Sequence, residues 1–195
     1  MSRTAFATTV LCVIAVLATS GCTESSAGNP VPGDTGSRSA DGGSDGSPAP
    51  TRPRELSLAG KDPCTLIPRS DWPTFYIDKP GELRRDKTLG SPECLYLNDM
   101  GAFGLILVTN AGIEFWRDVK RSAEVTEAEP VAGFPAITVV LPGDDNRCDV
   151  GVDVAAGQYL LAGINLYDDK LSEVPEKCEY AHQWAESAVS TLAAS

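Results

Sequence analysis

Six cysteines and one histidine are the residues of this 195-residue chain with the widest chemical reach. A cysteine can bind zinc, attack a carbonyl, cross-link the chain or carry an acyl group, and spacing separates these uses. Cys12 and Cys22 stand near the start, whereas Cys64, Cys94, Cys148 and Cys178 are spread over the rest. No C-x-x-C pair occurs, so zinc-ribbon and thioredoxin-like chemistry are not indicated. Four cysteines in an exported domain read as two disulfides, with three connectivities open. Cys64 with Cys94 and Cys148 with Cys178 is the favoured pairing, because each bridge would join a helix start to a nearby strand. Each would close a loop of about 30 residues, worth roughly 3–4 kcal/mol in the chain-entropy picture.

Other catalytic signals are missing from the sequence. His182 sits beside the apolar stripe of a predicted helix, the ordinary place for a helix-flank histidine. There is no G-x-S-x-G nucleophile elbow and no H-E-x-x-H zinc motif. Asp144, Asp145, Asn146 and Asp149 form an acidic run without the alternating spacing and distant Glu of a calcium loop, and hairpin-turn chemistry accounts for them. Neither a metal nor a cofactor is expected. A carboxylate pair assembled only by the fold would be invisible at this level.

Cys22 is set apart by what precedes it. The chain opens with Arg3, has no acidic residue before Glu24, and runs apolar from Ala5 to Ala18, interrupted at Thr8 and Thr9. That run is too short for the roughly 20 residues that cross a bilayer and fits a signal peptide. Ala18-Thr19-Ser20-Gly21 then leads into Cys22, the placement of a bacterial lipobox, with Thr19 where Leu is usual. Residues 1–21 are therefore expected to be a lipoprotein signal peptide and Cys22 the lipid attachment point. The membrane, reached through that anchor, becomes the first expected partner, and the extracytoplasmic face of the cell membrane the expected location. Residues 22–60, rich in Ser, Gly, Pro and Asp, lack the apolar content to form a core and read as a disordered tether. Its root-mean-square reach would be on the order of 35 Å.

Residues 61–195 have the length of a single domain. With 16 basic and 27 acidic residues the net charge is −11, which argues against nucleic acid as a partner. Two local basic clusters, Arg84-Arg85-Lys87 and Arg117-Lys120-Arg121, read as solvated surface.

The elements that would position these residues can be read from periodicity. Asp62-Pro63 has the form of a helix entry, kept short by Pro68 and Pro73, with Trp72, Phe75, Tyr76 and Ile77 packing it on a sheet. Lys79–Pro92 reads as loop. Glu93–Asn98 and Phe103–Thr109 form a hairpin about Asn98-Asp99-Met100-Gly101. Ile113–Ser122 has the apolar spacing of a short amphipathic helix, with Ile113, Phe115, Trp116 and Val119 inward, and Glu124–Glu129 is ambiguous. Ala136–Leu141, Cys148–Ala155 and Gln158–Leu166 follow as strands, with one sheet face covered and the other more polar. The last helix, Pro175–Ala193, repeats Cys178, Ala181, Ala185, Val189 and Leu192 at helical spacing, with Trp184 at the flank. The expected fold class is α+β: an antiparallel meander of about five strands, helices at both ends of the domain packed on one face, and two disulfides.

In this order the landmarks resemble an actinobacterial lipoprotein family known as Domain of Unknown Function 3558. The matching features are Asp62-Pro63-Cys64 after the linker, Cys94 at a strand start and Val131-Ala132-Gly133-Phe134-Pro135-Ala136 before a strand. The alternating Cys148-Asp149-Val150-Gly151-Val152-Asp153 and the helix with Cys178, Ala181 and Ala185 complete the set. Tyr96 departs from the pattern, standing where a tryptophan is expected two places after the cysteine. The resemblance implies an envelope location and a compact domain, and it brings no catalytic residues. The expectation is a membrane-anchored, non-enzymatic binding or interaction module, engaging an envelope protein, a lipid or a small molecule. The alternatives are an envelope hydrolase with a carboxylate site and a structural subunit of an envelope complex.

Overall fold

The computed structural model describes residues 51–117 and 123–195. The anchor cysteine Cys22, the signal peptide and most of the tether lie outside the described residues, as do Val119, Lys120 and Arg121.

Seven antiparallel strands form one sheet: β1 (Glu82–Arg85), β2 (Pro92–Asn98), β3 (Gly101–Val108), β4 (Glu124–Val131), β5 (Phe134–Val140), β6 (Arg147–Ala155) and β7 (Gln158–Leu166). Their order is β1-β2-β3-β7-β6-β5-β4. Two meanders, β1–β3 and β4–β7, are thus joined by pairing β3 with β7, and the link from β3 to β4 runs from the sheet centre to its far edge. The expected five-strand meander is corrected to this seven-strand arrangement. The two added strands are the edges. In β1 all four residues, Glu-Leu-Arg-Arg, are exposed, and β4 is mostly exposed and carries Pro130, so neither shows the two-residue apolar alternation that betrays a half-buried strand. Lys79–Pro92, read as loop, contains β1.

Helices do not stand at both ends of the domain. One α-helix, α1 (Lys177–Ala193), lies at the C-terminal end, capped by the Glu176 side chain, which accepts hydrogen bonds from the Cys178 and Glu179 amides. At the other end, prolines limit the chain to two 3₁₀ turns, Pro63–Thr65 and Trp72–Phe75. Tyr76, expected to pack inward, is instead 52% exposed with a left-handed backbone (φ 54°). The segment expected as a helix from Ile113 forms a 3₁₀ turn over Ile113–Trp116, and residues 118–122 lie outside the described residues.

The main core lies between the sheet and α1. Cys148, Val150, Val152 and Val154 of β6, Leu160, Ala162, Ile164 and Leu166 of β7, and Phe103, Leu105 and Leu107 of β3 pack with Ala181, Ala185, Ala188 and Val189. Alanines let the helix approach the sheet closely. Trp184 is central to this core rather than flanking it: it is fully buried, donates Nε1–H to the Gly104 carbonyl at 3.0 Å, and meets Phe75, Tyr96 and Phe103 edge-on. Residues 51–60, counted with the tether in the sequence, take part as well. Leu56 and Leu58 are buried in the same core, and the Leu56 amide donates to the Val154 carbonyl.

The disulfides Cys64–Cys94 and Cys148–Cys178 are formed, the pairs favoured from the sequence. The first ties the N-terminal turn to β2, and the second ties the first turn of α1 to β6. A type I′-like turn, Ala132 (φ 49°) and Gly133 (φ 84°), closes the β4–β5 hairpin.

Candidate functional site

The sheet face opposite α1 is only partly covered. Over β3, β7, β6 and β5 lies a second apolar cluster of Ile106, Val108, Ile137, Val139, Tyr159 and Leu161, closed by Ile113 and Trp116 of the 3₁₀ turn. This face is therefore not simply the more polar one expected from alternation. Gly151 makes the cover fit: a Cβ there would press on Ile137 at 3.2 Å and meet Ile113 at 3.5 Å.

Beside that cover the same face stays open, and here charged side chains converge. Strand register aligns Leu95, Gly104, Gly163 and Asp149 in one row across β2, β3, β7 and β6. Arg84 and Glu93 stand opposite each other in the next row, and Ala102, Asn165 and Arg147 form the row on the other side. These residues and Ile106 and Leu161 line a trough of about 140 Å³.

Two carboxylates are sunk into its floor. Glu93, 5% exposed, accepts from Arg84 Nε at 2.7 Å and Nη2 at 2.9 Å, a side-on bidentate pair. Asp149, 1% exposed, accepts at both oxygens from Arg147 Nε, at 3.1 and 2.9 Å. The glycines make room for them. A Cβ on Gly104 would stand 3.2 Å from Glu93 Oε1, and one on Gly163 would collide with Asp149 Oδ1. Burial pushes the Asp149 carboxyl above its ordinary range, an effect that the Arg147 charge and hydrogen bond only partly offset. On Arg147 burial works against the charge, but the attraction and hydrogen bonds of Asp149, with smaller pulls from Asp144 and Asp86, together hold the guanidinium above its usual value.

The carboxylates face inward and the guanidinium groups rim the opening, with the Arg84 and Arg147 side chains 46% and 35% exposed. Arg147 Nη1 and Nη2, Arg84 Nη1 and the Asn165 amide bond to no other group among the described residues. The trough thus offers a guest hydrogen-bond donors beside short apolar walls.

Most sequence candidates lie elsewhere. His182 is on α1, its Nε2 3.0 Å from the Glu129 carbonyl oxygen, on the sheet's other side. Asp144 and Asn146 serve the β5–β6 turn, where the Asp144 carbonyl accepts from the Arg147 amide and Asn146 bonds Asp168, while Asp149 is separated from them within β6. Among the described residues no three His, Cys, Asp or Glu are grouped to hold a metal ion. Of the basic clusters, Arg84 belongs to the trough, Arg85 bonds the Gly90 carbonyl, and Arg117 pairs with Glu127. Sequence reasoning missed Glu93, Arg147 and the glycines. The one signal along the chain was the pair of glycines inside apolar strands, Gly104 and Gly163, which mark a close approach.

Fold and site together define a disulfide-stapled α+β domain, one antiparallel sheet backed by the helix α1, with an arginine-rimmed trough on its open face. The chain belongs to the family described as "Protein of unknown function (DUF3558)", whose match runs over residues 17–191. No curated protein and no solved structure matches it.

Proposed function

We propose that this chain is a lipid-anchored module on the outer face of the cytoplasmic membrane that binds a ligand or partner of the cell envelope, and that it is not an enzyme. The binding reading rests on one observation: the trough turns outward the guanidinium groups of two ion pairs whose carboxylates are sealed beneath them. A hydrolase using two carboxylates would need them free to exchange protons with a substrate. Glu93 and Asp149 are instead each held through both oxygens by an arginine and pressed over a glycine.

The location rests on Cys22. The four cysteines of the domain are all engaged in disulfides, which suits an oxidising compartment. Cys22 remains behind an apolar run and ahead of a Ser/Gly/Pro-rich stretch, and the family match takes it in. Among the described residues no helix is long and apolar enough to cross a membrane. Treating cells with globomycin, which blocks lipoprotein signal cleavage, tests the anchor: the uncleaved, larger form should accumulate. Unchanged processing in treated cells would refute it.

A further inference from the structure

We infer that the trough between Arg84 and Arg147 is a binding site for the carboxylate group of a small organic acid. The inference rests on the reading of the domain as a binding module, and its test is independent of the membrane anchor.

Donor geometry sets the ligand class. Arg147 uses only Nε on Asp149, so the outer edge of its guanidinium, Nη1 and Nη2, is unoccupied. Two parallel N–H groups of a guanidinium match the two oxygens of a carboxylate. Asn165, the backbone neighbour of Arg147 across β6 and β7, lines the same trough with its amide unengaged. Arg84 adds Nη1 from the opposite side.

Charge narrows the class further. Each guanidinium already has a buried carboxylate beneath it, and Asp86 and Asp144 also act on Arg147. The two ion pairs cancel and Asp86 and Asp144 add negative charge nearby, so a dianion such as phosphate would be opposed more strongly than a monoanion and would lose more hydration. Bidentate hydrogen bonding rather than net charge selects the guest, which favours a carboxylate. Leu95 and Ala102 supply the apolar wall for a short hydrocarbon stem. A cavity of about 140 Å³ admits the acid group and a few carbons, so the ligand is a small acid or the acidic end of a longer chain.

The test uses the full chain in neutral detergent near neutral pH, following the arginine Nε–H and backbone amide resonances by NMR while butanoate or inorganic phosphate is added. Butanoate should shift the Arg147, Arg84 and Asn165 signals saturably, and more tightly than phosphate. Arg147→Lys keeps the charge but loses the two-pronged edge, and should weaken butanoate about tenfold or more. Asn165→Ala leaves both ion pairs intact and should weaken it about fivefold. Asn165→Ala decides the matter if Arg147→Lys fails to give a native amide spectrum. Shifts that rise linearly without saturating, butanoate binding unaffected by Asn165→Ala, or tighter binding of phosphate would each overturn the inference.

Discussion

Asp149 Oδ1 occupies the space above Gly163 that any side chain at that position would fill. The two residues are register partners on neighbouring strands, β6 and β7, and the absent Cβ of one is what lets the carboxylate of the other lie flat on the sheet beneath Arg147. Gly104 does the same for Glu93, less tightly. The trough exists because two central strands carry glycine at paired positions, Gly104 opposite Gly163.

Gly163→Ala should therefore destabilise the domain although alanine suits a strand at least as well as glycine. The methyl must displace a buried carboxylate from its arginine, at a cost of about 2–4 kcal/mol. Gly104→Ala, where the contact is 3.2 Å and Glu93 is a longer side chain, should cost about 1 kcal/mol. Urea unfolding of the two variants checks the order. Equal stability of Gly163→Ala and the parent chain would contradict the packing described.

The stability of the folded domain should carry a pH component from Asp149. Burial raises its carboxyl pKa in the folded state above the unfolded value of 3.8, so the folded state binds the proton more tightly than the unfolded one. Stability from this group is then greatest below 3.8 and falls as pH climbs from there through the raised folded value. Asp149→Asn, which has no proton to lose, should lack this decline. The readout is the difference between the two proteins in urea titrations from about pH 4 to about pH 7. A parallel pH dependence in both would show that Asp149 contributes none of it.

At high pH the tyrosines on the α1 side give a second signal. Burial, with a smaller push from Asp62, raises the Tyr96 hydroxyl to about 12, and burial raises Tyr180 as well. Both hydroxyls donate to backbone carbonyls, of Cys64 and Thr74. The stability they contribute is complete below the usual value of 10 and lost as pH rises through the folded values. Ultraviolet titration should show a late-ionising fraction that shrinks in Tyr96→Phe.

Trp184→Phe should cost about 2 kcal/mol, because it shrinks the centre of the aromatic cluster and leaves the Gly104 carbonyl without its indole donor. Thermal unfolding measures the loss. Gly104 also lines the trough, so this tryptophan ties α1 to the strand that floors it.

How far the sequence carried the structure depended on burial. Gln158–Leu166 reads as a strand with the bounds it has, and Cys148–Val154 alternates because one face meets α1. The Cys178–Leu192 stripe gave the helix, expected from Pro175 but beginning at Lys177, after the Glu176 cap. Edge strands failed for the converse reason: Glu82–Arg85 buries nothing, so no pattern marks it. Trp184 and Tyr76 were misplaced because helical phase and residue type do not say how far the N-terminal turns reach over the helix. The site was the least legible part. Glu93, Arg147 and Asp149 look like ordinary surface charges along the chain, and only the register of four strands brings them over Gly104 and Gly163.

The central claim, a binding domain held to the membrane through one lipid-modified cysteine, is tested most directly by fractionating cells that express Cys22→Ala beside the parent chain. The account predicts that the parent chain sediments with membranes and that Cys22→Ala leaves them or accumulates with its signal uncut. A cleaved Cys22→Ala protein that still sediments wholly with the membranes would contradict it.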